Sequence, residues 1–212
     1  MVKKTPLGKW PLMAGDYTLG KSSESPVVIV TLASALPVDA GKFALMGGMR
    51  TENLGVERIV TNVLANPNIR FIVVCGEESR GHLSGQALFS LWKNGVDEKN
   101  RIVGAKGAFP YVENVPREAI AHFQKQVEIV DMIGVTELKA IEAKCDELFL
   151  KDPGSFGEPF VFLEITKEEE HSKACVEGSL VVGSDVLYDY CANIVHIPGR
   201  KGMSEREIED DV

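Results

Sequence analysis

Apolar residues occur in this chain in two recurring forms: short β-branched runs without polar interruption, and longer stretches with apolar positions three and four apart. Pro26–Leu32 (PVVIVTL) and Arg70–Cys75 (RFIVVC) have the first form, which is the pattern of strands buried on both faces of a parallel sheet. Leu54, Ile59, Val63 and Leu64 have the second and predict a helix, which Asn66-Pro67-Asn68 ends because proline lacks the N–H that a helix needs. The same reading predicts a helix over Leu83–Lys93, stopped by Asn94-Gly95, and one opened by Pro116 in PREAIAHFQKQ. A further helix is predicted over Thr136–Leu148. Strands are predicted at Ile102–Ala105, Val127–Ile133 and Phe160–Ile165. Strand and helix alternate through residue 165, so the expected class is α/β, a Rossmann-like and mostly parallel sheet with flanking helices. Beyond it, two β-rich runs split at Gly183-Ser184 predict a hairpin in a small C-terminal extension.

Charge divides the chain at the same place. Of 212 residues, 23 are Lys or Arg and 31 Asp or Glu, a net charge of −8. Residues 1–165 carry 18 basic and 20 acidic groups, whereas 166–212 carry 5 and 11, so most of the excess acidity lies in the last segment. The expected organisation is a domain over 1–165 followed by an acidic linker and extension over 166–212. An acidic chain is a poor nucleic-acid binder, since phosphate neutralisation needs a surplus of cations. The longest stretch without a charged residue, Ser25–Val38, has 14 residues, too short for a bilayer span of roughly 20. Direct membrane insertion is not expected, and a cytoplasmic location is. Four scattered cysteines, Cys75, Cys145, Cys175 and Cys191, do not make a disulfide or zinc framework.

Gly15–Ser22 (GDYTLGKS) spells the phosphate-loop motif, but that motif needs a strand before it and a helix after it. Here a proline-containing KWPLMA precedes and Ser-Ser-Glu-Ser-Pro follows, so nucleotide hydrolysis is not expected. No G-x-G-x-x-G follows the first strand and Cys75 stands where a ribose-binding acid would end the second, which removes a dinucleotide site. In open α/β sheets ligands lie beyond the carboxyl ends of the strands, so three loops should converge: the one ending in Arg50-Thr51-Glu52-Asn53, CGEESRGHLSGQ, and GAKGAFPYVEN. His82, at a helix N-terminus where the dipole favours the neutral imidazole, offers a lone pair to a metal. Thr51, Glu52 and Asn53 have two readings, a ligand contact and an N-terminal cap for the helix that follows. Trp10 and Trp92 read as packing residues, His122 as a solvent-facing or packing one, and Cys75 as a core residue close enough to the crevice for a thiol contact, while His171 and His196 have no partner spacing for a metal.

Arg80-Gly81-His82-Leu83-Ser84-Gly85 resembles the D-x-H-x-x-G signature of cobalamin-binding modules, with H-x-x-G kept and Arg80 in place of the aspartate. A carboxylate, carbonyl or water must then orient the histidine from elsewhere. Longer stretches resemble one family: GDYTLG with SPVVIVTL, TENLGVERIV, NPNIRFIVVCG, GHLSGQ, NGVDEKNRIVGAKGAFPYVENVP, FQKQVEIVD and KDPGSFGEP, in order over about residues 10–160. They are similar to the A subunit of the archaeal tetrahydromethanopterin S-methyltransferase. The resemblance implies a cobamide (cobalamin, of the 5-hydroxybenzimidazolylcobamide type) with His82 as axial ligand to cobalt. It implies cofactor contacts at Gly81, Ser84, Gly85 and Gln86, at Thr51, Glu52 and Asn53, and at Gly104, Ala105, Gly107, Ala108, Pro110, Tyr111 and Glu113. It implies methyl relay on cobalt from methyl-tetrahydromethanopterin to coenzyme M in methanogenesis, with methyltransferase subunits or another methyl donor or acceptor protein as partners. The protein residues carry no catalytic step of their own in this reading. The family's linker and membrane anchor have no counterpart here, so a soluble homologue is expected. A corrinoid protein for storage, delivery or sensing without methyl transfer is the alternative.

Overall fold

The computed structural model describes residues 2–162 in full and, beyond them, the backbone of four short strands within 179–204. The chain divides into two compact units, Met1–Leu163 and Glu164–Val212. In the first, β1 (Tyr17–Leu19), β2 (Val27–Val30), β3 (Leu45–Gly47), β4 (Phe71–Gly76) and β5 (Glu128–Ile133) form one sheet in the order β1-β3-β2-β4-β5. β3, β2, β4 and β5 are parallel, and only β1 runs antiparallel, at the edge against β3.

β2 and β4 are buried at every residue because both faces of the sheet are covered. Val28 and Val30 point to the side of α1 (Leu54–Leu64), α2 (Ser84–Asn94) and α3 (Arg117–Gln126), in a core that includes Val60, Leu88 and Phe123. Val27 and Ile29 point to the opposite side, where Phe43 and α4 (Leu138–Leu150) meet them through Ile141 and Cys145. The fold is therefore α/β with three layers, as the alternation of runs predicts. In the second unit β6 (Ser179–Val181), β7 (Leu187–Asp189), β8 (Ile194–His196) and β9 (Met203–Ser204) pair antiparallel in sequence order, so a β-rich extension is present and β6 pairs with β7 across the Gly183-Ser184 segment.

Two predicted strands are corrected. Ile102–Ala105 makes only one isolated bridge, Ile102 to Val96, with a second beside it from Arg101 to Tyr111. Its backbone is engaged locally: the Ile102 N–H donates to the Pro110 carbonyl and the Val103 N–H to the Gly95 carbonyl, and Gly104 turns the chain at φ 86°. Phe160–Phe162 is not a strand either; the Phe160 N–H donates to the Leu64 carbonyl at the end of α1, and the rest of that prediction lies outside the described residues. β1 and β3, three residues each, are below the length that an apolar run can signal. β1 runs through the middle of the phosphate-loop look-alike, and the chain after it goes to β2 without a helix, so the core of GDYTLGKS is a short edge strand.

Along the parallel part, the chain goes from β2 outward to β3 and returns through α1 to β4 on the other side of β2. Strand order reverses between β2 and β4, and ligands of such sheets bind at that point. Gly76 closes β4 there with φ 81°, and a Cβ on it would collide with the Thr31 carbonyl oxygen and lie 2.9 Å from Ser34 Cβ. Gly76→Ala is expected to destabilise the domain by about 2–4 kcal/mol, from left-handed backbone strain and overpacking together. An unchanged urea midpoint would contradict this placement.

Candidate functional site

His82 stands on the turn between β4 and α2, at the point where the strand order reverses. The Ser79 carbonyl accepts both the His82 and the Leu83 N–H, and Leu83 turns into α2 with φ 49°. Glu78 caps that helix, its two carboxylate oxygens accepting the Gly85 N–H at 3.0 Å and the Gln86 N–H at 2.8 Å. The Leu83, Gly85 and Gln86 amides at the helix start are thus satisfied within the chain, which fixes the turn that carries His82.

The orienting carboxylate comes from 30 residues upstream. Glu52 Oε2 lies 2.7 Å from His82 Nδ1, and Glu52 Oε1 accepts the Phe109 N–H at 2.6 Å. Glu52 is buried, at 1% exposure, whereas the His82 side chain is 49% exposed. An ionised carboxylate only accepts hydrogen bonds, so the proton of a neutral His82 sits on Nδ1 and the Nε2 lone pair is left for a ligand. Burial pushes the Glu52 carboxyl up, but the Phe109 amide, its own amide and His82 together outweigh burial and hold it below the ordinary glutamate value.

A wall of three loop anchors stands beside this pair. The Gln86 side chain donates to the Gly104 carbonyl at 3.0 Å and accepts the Lys106 N–H at 2.9 Å. Glu52 holds Phe109, and Glu57, in α1 and buried, accepts both the N–H and the side-chain amide of Asn114 at 2.9 Å each. Residues 104–114 are therefore fixed at three places by polar side chains from α1, α2 and the residue before the α1 cap.

The three predicted loops do meet, but their residues differ in what they do. Thr51 Oγ1 accepts the Gly55 N–H and Asn53 Oδ1 the Leu54 N–H, so these two cap α1. Ser84 is fully buried, its hydroxyl donating to the Met49 carbonyl, and the amides of Gly85 and Gln86 are taken by Glu78. Ala105, Gly107 and Pro110 are buried, Tyr111 is half-buried, and Gly81, Gly104, Ala108 and Glu113 are exposed. Two further residues belong to the site although no motif marks either of them. Phe109 is 57% exposed with its ring 4.8 Å from that of Tyr111. Ser79 is buried, at 8% exposure, and its hydroxyl has no hydrogen-bond partner among the described residues. Trp10 and Trp92 donate to the Asn62 and Val127 carbonyls and pack against the core, His122 packs against Phe156 and Phe160, and Cys75 is fully buried.

Among the described residues no cluster of three or more His, Cys, Asp or Glu side chains could hold a metal by itself. A metal at His82 must bring its remaining ligands with it, which suits a macrocycle better than a bare ion. Among the described residues no helix is long and apolar enough to cross a membrane.

The lowered Glu52 value sets the sign of a pH effect. A carboxyl depressed in the folded state contributes stability above its unfolded value and loses it as pH falls through the folded value. Glu52→Gln is expected to cost about 1–3 kcal/mol at neutral pH and less in acid, where the wild-type carboxyl is protonated too. Equal losses at both ends of a pH series of urea melts would contradict the assignment.

The family model for the A subunit of tetrahydromethanopterin S-methyltransferase matches residues 3–173. The chain is 48% identical over 177 residues to form 1 of that subunit from Methanothermobacter marburgensis, covering 81% of this chain and 74% of that one. It is 47% identical over 182 residues to form 2 from Methanobrevibacter ruminantium, covering 84% and 93%. Against the A subunit from Methanosarcina acetivorans it is 45% identical over 183 residues, covering 84% and 74%. With a match across most of its length and nearly half its aligned residues shared with these relatives, the chain belongs to the family of the tetrahydromethanopterin S-methyltransferase A subunit.

Proposed function

We propose that this chain is a corrinoid-carrying subunit that holds a cobamide through His82 Nε2 on cobalt and serves methyl transfer from methyl-tetrahydromethanopterin to coenzyme M in methanogenesis. The observation that carries the reading is the Glu52–His82 pair: a buried carboxylate 2.7 Å from Nδ1 leaves the other ring nitrogen as a donor on an exposed side chain. That is how metal-binding histidines are commonly oriented, and it supplies from Glu52 what Arg80 cannot. The family membership adds the reaction class and implies other methyltransferase subunits as partners.

When bound, the cobamide supplies a cobalt centre able to take up a methyl group and yield it to a thiolate. The chain's own residues do three things. His82 donates its Nε2 lone pair, Glu52 holds the Nδ1 proton and the ring plane, and the 104–114 loop gives Glu52 a second fixed partner in the Phe109 amide. The exposed Phe109 ring lies on the loop that Glu52 joins to the His82 turn and is available to the same ligand.

Purified protein incubated with hydroxocobalamin is expected to keep its red colour through desalting. His82→Ala should weaken retention at least about tenfold and change the visible spectrum, with Glu52→Gln in between. A colourless wild-type protein would overturn the reading. A coloured protein whose cofactor, once chemically reduced with titanium(III) citrate, gains no methyl-cobalt absorption from methyl-tetrahydromethanopterin and a purified donor methyltransferase would reduce it to a corrinoid carrier without methyl transfer.

A further inference from the structure

Gly107 lies in the middle of the anchored loop and is buried. Its φ lies outside the left-handed region that makes glycine necessary at Gly104 (φ 86°) and Gly81 (φ 80°). Space is the constraint instead. A Cβ built on Gly107 would collide with the His82 carbonyl oxygen and lie 2.9 Å from Glu52 Cγ and 3.0 Å from Glu52 Cδ. A Cβ on Gly81, by contrast, would meet nothing within 4 Å. The glycine that touches both members of the His82–Glu52 pair thus stands where no side chain fits.

We propose that Gly107 is a positioning residue for His82: its bare backbone closes against His82 and Glu52 and sets the plane and reach of the imidazole. The loop cannot make room by swinging out, because Gln86 holds Gly104 and Lys106 on one side of Gly107 and Glu52 holds Phe109 on the other. A methyl group at 107 must therefore displace His82, displace Glu52, or break the Phe109 N–H bond to Glu52. The first two lengthen the hydrogen bond on Nδ1, and the third removes the second donor that fixes the carboxylate in place against His82. The inference deepens the reading of His82 as the ligand-bearing side chain, but its first test needs no cofactor.

In ¹⁵N-histidine-labelled protein without cofactor, with the His82 signal assigned by its loss in His82→Ala, the Nδ1–H should be protected by Glu52. Gly107→Ala should raise its exchange with water at least about tenfold, while the exposed-site control Lys99→Ala leaves it unchanged. Hydroxocobalamin affinity should fall about 10–100-fold in Gly107→Ala, the range for losing an orienting partner of a metal ligand. Circular dichroism melts establish that the variant is folded. Should it not fold, Gln86→Ala, which frees the loop at 104–106 without adding atoms at 107, should give a smaller rise in Nδ1–H exchange. A folded Gly107→Ala with wild-type protection, or a Gln86→Ala indistinguishable from wild type when Gly107→Ala is unfolded, overturns the proposal. If wild-type protein binds no cobalamin while the exchange results are as expected, the cofactor reading fails and the positioning role of Gly107 stands.

Discussion

A carboxylate taken out of water must find donors, and the arrangement of this site follows from how Glu52 finds them. At 1% exposure it has no bulk solvent to rely on, and an unpaired buried carboxylate would shift to its neutral form. It precedes the Asn53 cap of α1, where the positive end of the helix dipole favours a negative charge. One oxygen then takes the Phe109 amide and the other the His82 ring. Because the same group serves both, the 104–114 loop and the turn before α2 cannot be placed independently of each other. The imidazole is consequently oriented by residues distant in sequence, while its own side chain stays open to solvent.

The fold prepares the ground for that interaction. Reversal of strand order between β2 and β4 leaves an opening at the carboxyl ends of the two most buried strands, and the loops entering α1 and α2 both leave from that end. Glu78 takes the Gly85 and Gln86 amides and Asn53 the Leu54 amide, so these helix-start groups are engaged within the chain. What the site offers is one nitrogen donor, an exposed aromatic ring and an anchored loop. In the proposed reading the ligand brings its own equatorial coordination and the protein adds the His82 nitrogen.

Legibility in the sequence follows how local each determinant is. PVVIVTL and RFIVVC are readable as buried strands because continuous β-branched burial needs no distant partner to recognise, and α1 is readable because its apolar spacing and the Asn-Pro stop are local. β1 and β3 are not, since three-residue strands depend on the neighbours that pair with them. Ile102–Ala105 carries the composition of a strand but its amides are engaged within the loop, a matter of partners and not of propensity. His82 is legible from its place before a helix at a strand end. Its orienting group is not, because Glu52 sits beside a helix cap in a segment that reads equally well as two things. Thr51 and Asn53 cap, while Glu52 between them turns inward. Gly107 is visible as a loop glycine with a ligand contact as its expected role; only the packing reveals that it faces His82 and Glu52.

In the proposed reading the His82 ring nitrogen opposite Glu52 is the protein's ligand to cobalt. Electron paramagnetic resonance of the protein loaded with cob(II)alamin tests this directly, because the cobalt hyperfine lines are split further by an axial nitrogen. With ¹⁵N-histidine in the protein and ordinary nitrogen in the cofactor, each line is predicted to change from a triplet to a doublet, and the doublet to be lost in His82→Ala. Lines that stay triplets in the labelled protein would show the cofactor's own base on cobalt and would contradict the assignment of His82.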